Sequence, residues 1–287
     1  MVPGTCDKVP GTCETRKVPG TISEIRHRDP LLFWLGAAMM LAFIVCALLS
    51  IGDQRLILGI NPWIKPMKFL TSVTIFLWTI AWFMPETRWQ APIKIEGAWR
   101  QFDKRQFIRW TIAVSMIIEM AGILLQAGRG VQSHFNQATA FDIAIFAVMA
   151  ITISFNTFAI WVFLWIIRRD TPPHRAGYIW GIRLGIAIFL LANYQGVIIL
   201  FNNAHTVGAA DGGPGLPFVN WSTGYGDLRV AHFFGMHALQ ALPLLGFFLD
   251  KAKVPARNLV IAVSIIWLAV MSGLLTLALQ GRPLLSL

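Results

Sequence analysis

Apolar residues occur along this chain in long runs, and short stretches rich in charges, proline or glycine separate the runs. Seven such runs cover residues 31–51, 67–84, 106–126, 143–167, 178–203, 229–249 and 258–280. A helix of about 20 apolar residues crosses the roughly 30 Å of hydrocarbon in a bilayer. The pattern therefore predicts an all-α fold, a polytopic transmembrane helical bundle of seven spans over residues 30–287.

Composition agrees with a membrane protein, because 56% of the residues are hydrophobic and 13% are charged, against about 25% charged residues in soluble domains. The net charge of +10 is carried largely by short segments between the apolar runs. It therefore indicates a topology signal and not nucleic-acid binding. Two of the three cysteines, Cys6 and Cys13, precede the first run and Cys46 lies inside it, so we expect neither a disulfide framework nor a cysteine metal site.

The distribution of cations between the runs predicts an orientation. The N-terminal tail and residues 85–105, 168–177 and 250–257 are basic, whereas the alternate loops hold few cations. Because short cytoplasmic loops carry the excess of lysine and arginine, we expect the N-terminus inside and the C-terminus outside. The predicted location is the bacterial inner (plasma) membrane, with the lipid bilayer as partner.

Residues 1–29 contain the sequence VPGT three times, beginning at Val2, Val9 and Val18. A repeat rich in proline and glycine without apolar periodicity cannot build a core, so we expect a disordered tail. Our hypothesis is that the repeats are translated repeat DNA upstream of the true start. An intact mass of the native protein that includes them would contradict this.

The stretch from Gly226 to Phe247, which includes most of the sixth run, carries five polar or ionisable residues: Asp227, Arg229, His232, His237 and Gln240. At about 100° per residue, the last four share roughly one side of a helix. Polar groups at this depth are costly and indicate a functional site. His232 and His237 are about 140° apart around the helix, so each is expected to meet a different partner.

In the predicted topology, four of the six histidines lie in the outer half of the bundle: His134, His205, His232 and His237. Imidazole suits iron, copper and zinc, and a transmembrane haem b needs axial histidines from facing helices. We therefore expect these histidines, with Gln240, to bind a haem-type or metal cofactor for redox work. The alternative is that each makes a hydrogen-bonded contact between helices.

Five cations also lie on the outer side, where the positive-inside bias does not explain them: Lys65, Lys68, Arg129, Arg229 and Arg282. Lys65 and Lys68 stand at a helix N-terminus, where free N–H groups favour an anion. They predict a pocket for carboxylate or phosphate groups, including haem propionates. The alternative is snorkelling of the long side chains towards lipid headgroups.

Glu119 is predicted near the middle of the membrane, on one stripe of its helix with Ser115 and Gln126. A carboxyl group there is a protonated hydrogen-bonding group, a proton relay or a counter-ion to Arg229, and we name it the candidate proton relay. The long glycine-rich loop of residues 204–227 joins two histidine-bearing helices, which favours a lid over a disordered connection.

Three passages together resemble a family of uncharacterised bacterial seven-span integral membrane proteins. They are the KPMKF sequence of residues 65–69, QAGRGVQSHFN of residues 126–136, and GDLRVAHFFGMHALQALPLLG of residues 226–246. The resemblance implies a shared fold for most of the chain after residue 30, and it implies no activity.

The leading hypothesis is therefore a haem-binding or metal-binding redox protein with a redox partner. The alternative is a transporter or a ligand sensor for a small anionic solute. A retinal protein is excluded because residues 258–280 contain no lysine for a Schiff base. A membrane-embedded hydrolase is weakly supported, since the sequence has no GxSxG motif.

Overall fold

The computed structural model describes residues 22–87, 103–168 and 171–286. These ranges form the α-helices α1 (Ile22–Arg28), α2 (Pro30–Gly52), α3 (Ile64–Phe83), α4 (Lys104–Arg129), α5 (Ala140–Ile166), α6 (Ala176–Asn202), α7 (Leu228–Lys251) and α8 (Ala256–Leu279). Short 3-10 helices cover Met84–Glu86 and Pro173–Arg175. Two antiparallel two-residue strands, β1 (Thr206–Val207) and β2 (Gly226–Asp227), complete an otherwise helical fold.

The seven helices α2 to α8 are each long and apolar enough to cross a membrane. Large apolar side chains are exposed along α2, α5 and α8, among them Trp34, Leu48, Phe155, Trp165 and Ile265. Contiguous apolar surface of this extent is unfavourable in water and is the normal lining of a helix that faces lipid. The described part of the chain has an all-α fold with seven helices of membrane-spanning length, as predicted, while the membrane itself and the orientation in it stay predictions.

Capping side chains explain why several helices begin before the apolar runs do. The Asp103 carboxylate accepts hydrogen bonds from the backbone N–H groups of Arg105 and Gln106. The Thr139 hydroxyl accepts one from the backbone N–H of Asp142 at 3.1 Å. Such caps satisfy backbone donors that no helical carbonyl can reach. Helix α4 therefore begins at Lys104 and α5 at Ala140, two and three residues ahead of the predicted starts.

The end of the predicted disordered tail is helical, so that prediction was wrong for residues 22–28. The Arg28 guanidinium donates to the Trp82 carbonyl at 2.7 Å and lies 4.2 Å from the centre of the Trp82 ring. Ile25 packs against the buried core. These contacts give α1 a surface to fold on, which the sequence pattern did not reveal. Residues 1–21, with the three repeats, lie outside the described residues.

Helices α6 and α7 make the closest helix contact because glycines line it. A Cβ atom at Gly185 would lie 2.7 Å from the Ala238 carbonyl oxygen. Cβ atoms at Gly181 and Gly246 would overlap the carbonyls of Leu242 and Gly177, respectively. Backbones can approach this closely only where side chains are absent. The contact fixes α7, which bears several predicted site residues, against α6.

Loops from several parts of the chain meet at one end of the bundle, which we call the site end. It is formed by residues 53–63, 130–139, 203–227 and 280–286. The Arg55 guanidinium joins the first of these segments to the last turn of α4 by donating to the Gly128 carbonyl at 2.9 Å. Pairing of β1 with β2 brings together the two ends of the 203–227 loop. Helices α3 and α7 both begin here, beside this closed loop.

Candidate functional site

A chain of three polar side chains forms the centre of the site end. The Lys65 Nζ atom lies 3.2 Å from Nδ1 of His134. The other ring nitrogen of His134, Nε2, lies 3.6 Å from Oε1 of Glu119. These residues come from α3, the 130–139 loop and α4. The structure therefore joins a predicted anion-binding lysine, a predicted cofactor-binding histidine and the candidate proton relay.

The loop after α4 turns back so that His134 reaches into the bundle. Helix α4 ends at Arg129 and is capped by Gly130, whose φ of 74° belongs to the left-handed region that glycine adopts easily. The His134 ring then packs near three phenylalanine rings, with centroids at 6.1 Å from Phe69, 6.4 Å from Phe135 and 5.9 Å from Phe146. These three phenylalanine rings hold the His134 ring between Lys65 and Glu119.

Burial, and then the nearby charge of Lys65, hold the pKa of His134 well below its usual value of 6.5. A neutral ring that accepts a hydrogen bond from the Lys65 ammonium at Nδ1 carries its proton on Nε2. That N–H then faces the Glu119 carboxyl group. Glu119 is 6% exposed, and its Oε2 atom has no hydrogen-bond partner among the described residues.

His205 is held by an acid that sequence analysis missed. Asp211 accepts hydrogen bonds from the backbone N–H groups of His205 and Thr206 and lies 2.6 Å from Nδ1 of the His205 ring. Burial raises the pKa of Asp211, but its hydrogen bonds with His205 outweigh this and lower the pKa overall. The His205 ring then sits edge-on to Phe135, with centroids 5.3 Å apart. Asp211 thus anchors one side of the long loop.

The same loop covers two of the predicted anion-binding cations. The Lys68 ammonium donates to the Val219 carbonyl at 3.3 Å, and the Arg229 guanidinium donates to the Asn220 carbonyl. Arg229 also forms an ion pair at 2.6 Å with Asp227, whose side chain is fully buried. The loop therefore lies over the cations, in the position expected of a lid.

The remaining residues of α7 do not form one set. The His232 ring bonds through Nδ1 to the Ala192 carbonyl at 2.7 Å. The His237 ring packs edge-on to Phe233 at 4.2 Å. Gln240 donates to the Thr79 hydroxyl at 3.3 Å. Each is thus engaged with a different partner, which agrees with the angular separation expected for His232 and His237.

The structure places two predicted cations apart from the lysines. Arg129 forms an ion pair at 2.5 Å with Asp142 and also donates to Gln126. The side chain of Arg282 is exposed. Asp142 was also missed. It directly precedes the fourth apolar run, and Arg129 follows the third, so their positions at neighbouring ends of consecutive runs could have predicted this ion pair.

No group of three or more histidine, cysteine, aspartate or glutamate residues is placed to hold a metal ion within the described ranges. Both ring nitrogens of His134 already have polar neighbours, and Nδ1 of His205 is bonded to Asp211. The predicted four-histidine cofactor set is therefore not assembled as a set of free ligands in the part of the chain described.

The lowered pKa of His134 predicts that the stability of the protein depends on pH. Its pKa is about 6.5 unfolded and lower when folded, so below that value the unfolded chain binds more protons and the folded state loses stability. We expect the thermal midpoint in detergent to fall between about pH 7 and pH 5, and His134→Gln to weaken that fall. His27→Gln, at an exposed position on α1, is the control. An unchanged pH profile in His134→Gln would contradict the assignment.

No family model matches the sequence, and no curated protein or solved structure matches it either.

Proposed function

We propose that the protein binds a small anionic solute, bearing a carboxylate, sulfate or phosphate group, at the site end. The proposal rests on the contacts made by the two lysines in the first turns of α3. Among the described residues, no carboxylate forms an ion pair with Lys65 or Lys68. Their contacts are instead the neutral His134 ring and the Val219 carbonyl.

A lysine ammonium removed from water is costly unless an anion or several acceptors compensate it. Lys65 and Lys68 are three residues apart on a helix, so their side chains leave from neighbouring positions on one face. They also lie in the first turns of α3, where the helix dipole favours negative charge. An anion between the two ammonium groups would compensate both of them.

The lid contacts support an exchangeable ligand. The Val219 and Asn220 carbonyls accept hydrogen bonds from Lys68 and Arg229. A carbonyl is a weaker acceptor for these cations than an ionised oxygen, because an ionised oxygen adds the attraction between two opposite charges to the hydrogen bond. An arriving anion can therefore replace the lid carbonyls, and lid opening gives it access.

We further propose that the site end faces the outside of a bacterial inner membrane. The support is the positive-inside distribution of the loops, which places the N-terminus in the cytoplasm. Gly213 is exposed on the lid. A cysteine introduced there should react with an impermeant maleimide on intact cells, and protection until the cells are opened would reverse the orientation.

The direct test is the thermal stability of the detergent-purified protein with sulfate, phosphate, acetate and succinate at constant ionic strength. At least one anion should raise the thermal midpoint saturably, because a ligand that binds only the folded state stabilises it. Uptake of that anion into proteoliposomes would indicate transport, and binding without uptake would indicate sensing. No effect from any of the four anions would contradict the proposal.

A haem or metal cofactor is the second candidate, and His232 is the observation that favours it. Its Nδ1 is bonded to the Ala192 carbonyl, an arrangement that orients the Nε2 lone pair of a ligand histidine. Haem would supply one-electron redox chemistry. A Soret band that His232→Ala removes from protein made in haem-replete cells would establish haem, and a flat spectrum would leave the histidines with metal-binding or hydrogen-bonding roles.

A further inference from the structure

The charged groups around Lys65 balance one another before any ligand arrives. In the described part of the chain, the cations are Lys65, Lys68 and Arg229, and the carboxylates are Glu119, Asp211 and Asp227. Three positive and three negative groups therefore sum to zero when all are ionised, with His134 and His205 neutral. An added anion leaves this partly buried cluster with an uncompensated negative charge, which is costly in a medium of low dielectric constant.

The three carboxylates differ in the number of contacts that stabilise their negative charge. Asp227 is in an ion pair with Arg229 and accepts the backbone N–H of Ser222 at 2.8 Å. Asp211 accepts two backbone N–H groups and contacts the His205 ring. Among the residues that the structure describes, Glu119 has the His134 ring at 3.6 Å as its one ionisable contact, and its buried Oε2 atom has no hydrogen-bond partner. Glu119 is therefore the carboxylate that gives up its charge at least cost.

We propose that anion binding at Lys65 and Lys68 is coupled to the uptake of one proton by the Glu119 carboxylate, through the contact of Glu119 with His134 and of His134 with Lys65. This inference rests on the proposed function and names how the same site is regulated. The proton comes from the aqueous phase and forms an O–H bond on Glu119. The protonated carboxyl group leaves the charge of Lys65 to the bound anion, and with a singly charged anion the cluster returns to zero net charge.

Linkage then fixes the sign of the pH effect. A ligand that is bound together with one proton binds more tightly at lower pH, by up to about tenfold per pH unit. Glu119→Gln removes the competing negative charge and keeps the shape of the side chain. We expect this variant to bind the anion with an affinity close to the highest wild-type value and without pH dependence.

The experiment is calorimetric titration of the full-length protein in detergent with acetate, a singly charged anion, and with sulfate, both of which stay ionised between about pH 6.5 and 8.5. Each titration is repeated in two buffers of different ionisation enthalpy, which measures the protons taken up. The wild type should take up close to one proton per anion across part of this range. Asp53→Asn, which removes a carboxylate paired with Arg55 at the same end, should behave as the wild type.

Three outcomes distinguish the proposed proton coupling from the proposed anion site itself. Wild-type binding without proton uptake and without pH dependence overturns the coupling and leaves the anion site standing. Proton uptake that persists in Glu119→Gln also overturns the coupling, because another group must then take the proton. The absence of binding to any of the four anions tested above, at any pH, overturns the proposed function itself. If Glu119→Gln does not fold, the wild-type proton count still decides the first outcome.

Discussion

Replacement of Lys65 and Lys68 together by glutamine is expected to abolish the stabilisation of the protein by its anion. Each ammonium contributes charge-assisted hydrogen bonds worth about 1.5–3 kcal/mol. Since about 1.4 kcal/mol is a tenfold change in affinity, the double variant should bind at least about a hundredfold more weakly. The measurement is the anion-dependent thermal midpoint of the purified variant, compared with its midpoint without anion.

Arg282→Gln is the matched control for this prediction. Arg282 is a cation at the same end of the bundle, but its side chain is exposed. Its removal lowers the net charge without touching the two lysines, so the affinity should change little. A loss of affinity as large in Arg282→Gln as in the double lysine variant would show that overall charge, and not the site, attracts the anion.

Gly246→Ala is expected to give a large loss of stability from a single methyl group. A Cβ atom at Gly246 would overlap the carbonyl group of Gly177 across the α6–α7 contact. The obstacle is backbone, which cannot rotate away as a side chain can, so the helices must separate. Overpacking of this kind costs about 1–3 kcal/mol or more. The thermal midpoint in detergent should fall markedly, together with anion binding, because α7 begins at the site end.

The control is Gly273→Ala on α8, where a Cβ atom would meet nothing within 4 Å. This change should leave stability unchanged or raise it by up to about 1 kcal/mol, since alanine favours a helix over glycine. Equal losses at both positions would show that glycine-lined packing of α6 on α7 is not what holds these helices together.

The arrangement of the spans could be predicted because each apolar run has the length that a bilayer requires. The exact helix starts could not, because they depend on single capping side chains such as Asp103 and Thr139. The helix at Ile22–Arg28 was missed for a related reason. It forms on contacts with Trp82, some 50 residues away, that no local periodicity encodes.

The proximity of Lys65, His134 and Glu119 could be predicted in part, because the predicted topology assigns each residue a depth in the membrane. Depth alone does not give the direction of a side chain around its helix or the path of a loop. Sequence reasoning therefore could not foresee that the 130–139 loop turns His134 inward onto Glu119. It also missed Asp211, since the acid lies within a loop whose fold depends on its own hydrogen bonds.

The most direct test of the account is an equilibrium titration of the detergent-purified protein with sulfate, phosphate, acetate and succinate, side by side with the Lys65→Gln/Lys68→Gln variant. We expect saturable one-site binding of at least one anion by the wild type, and an affinity at least about a hundredfold lower in the variant. Equal binding by both proteins, or no saturable binding by either, would contradict the assignment of an anion site to the start of α3.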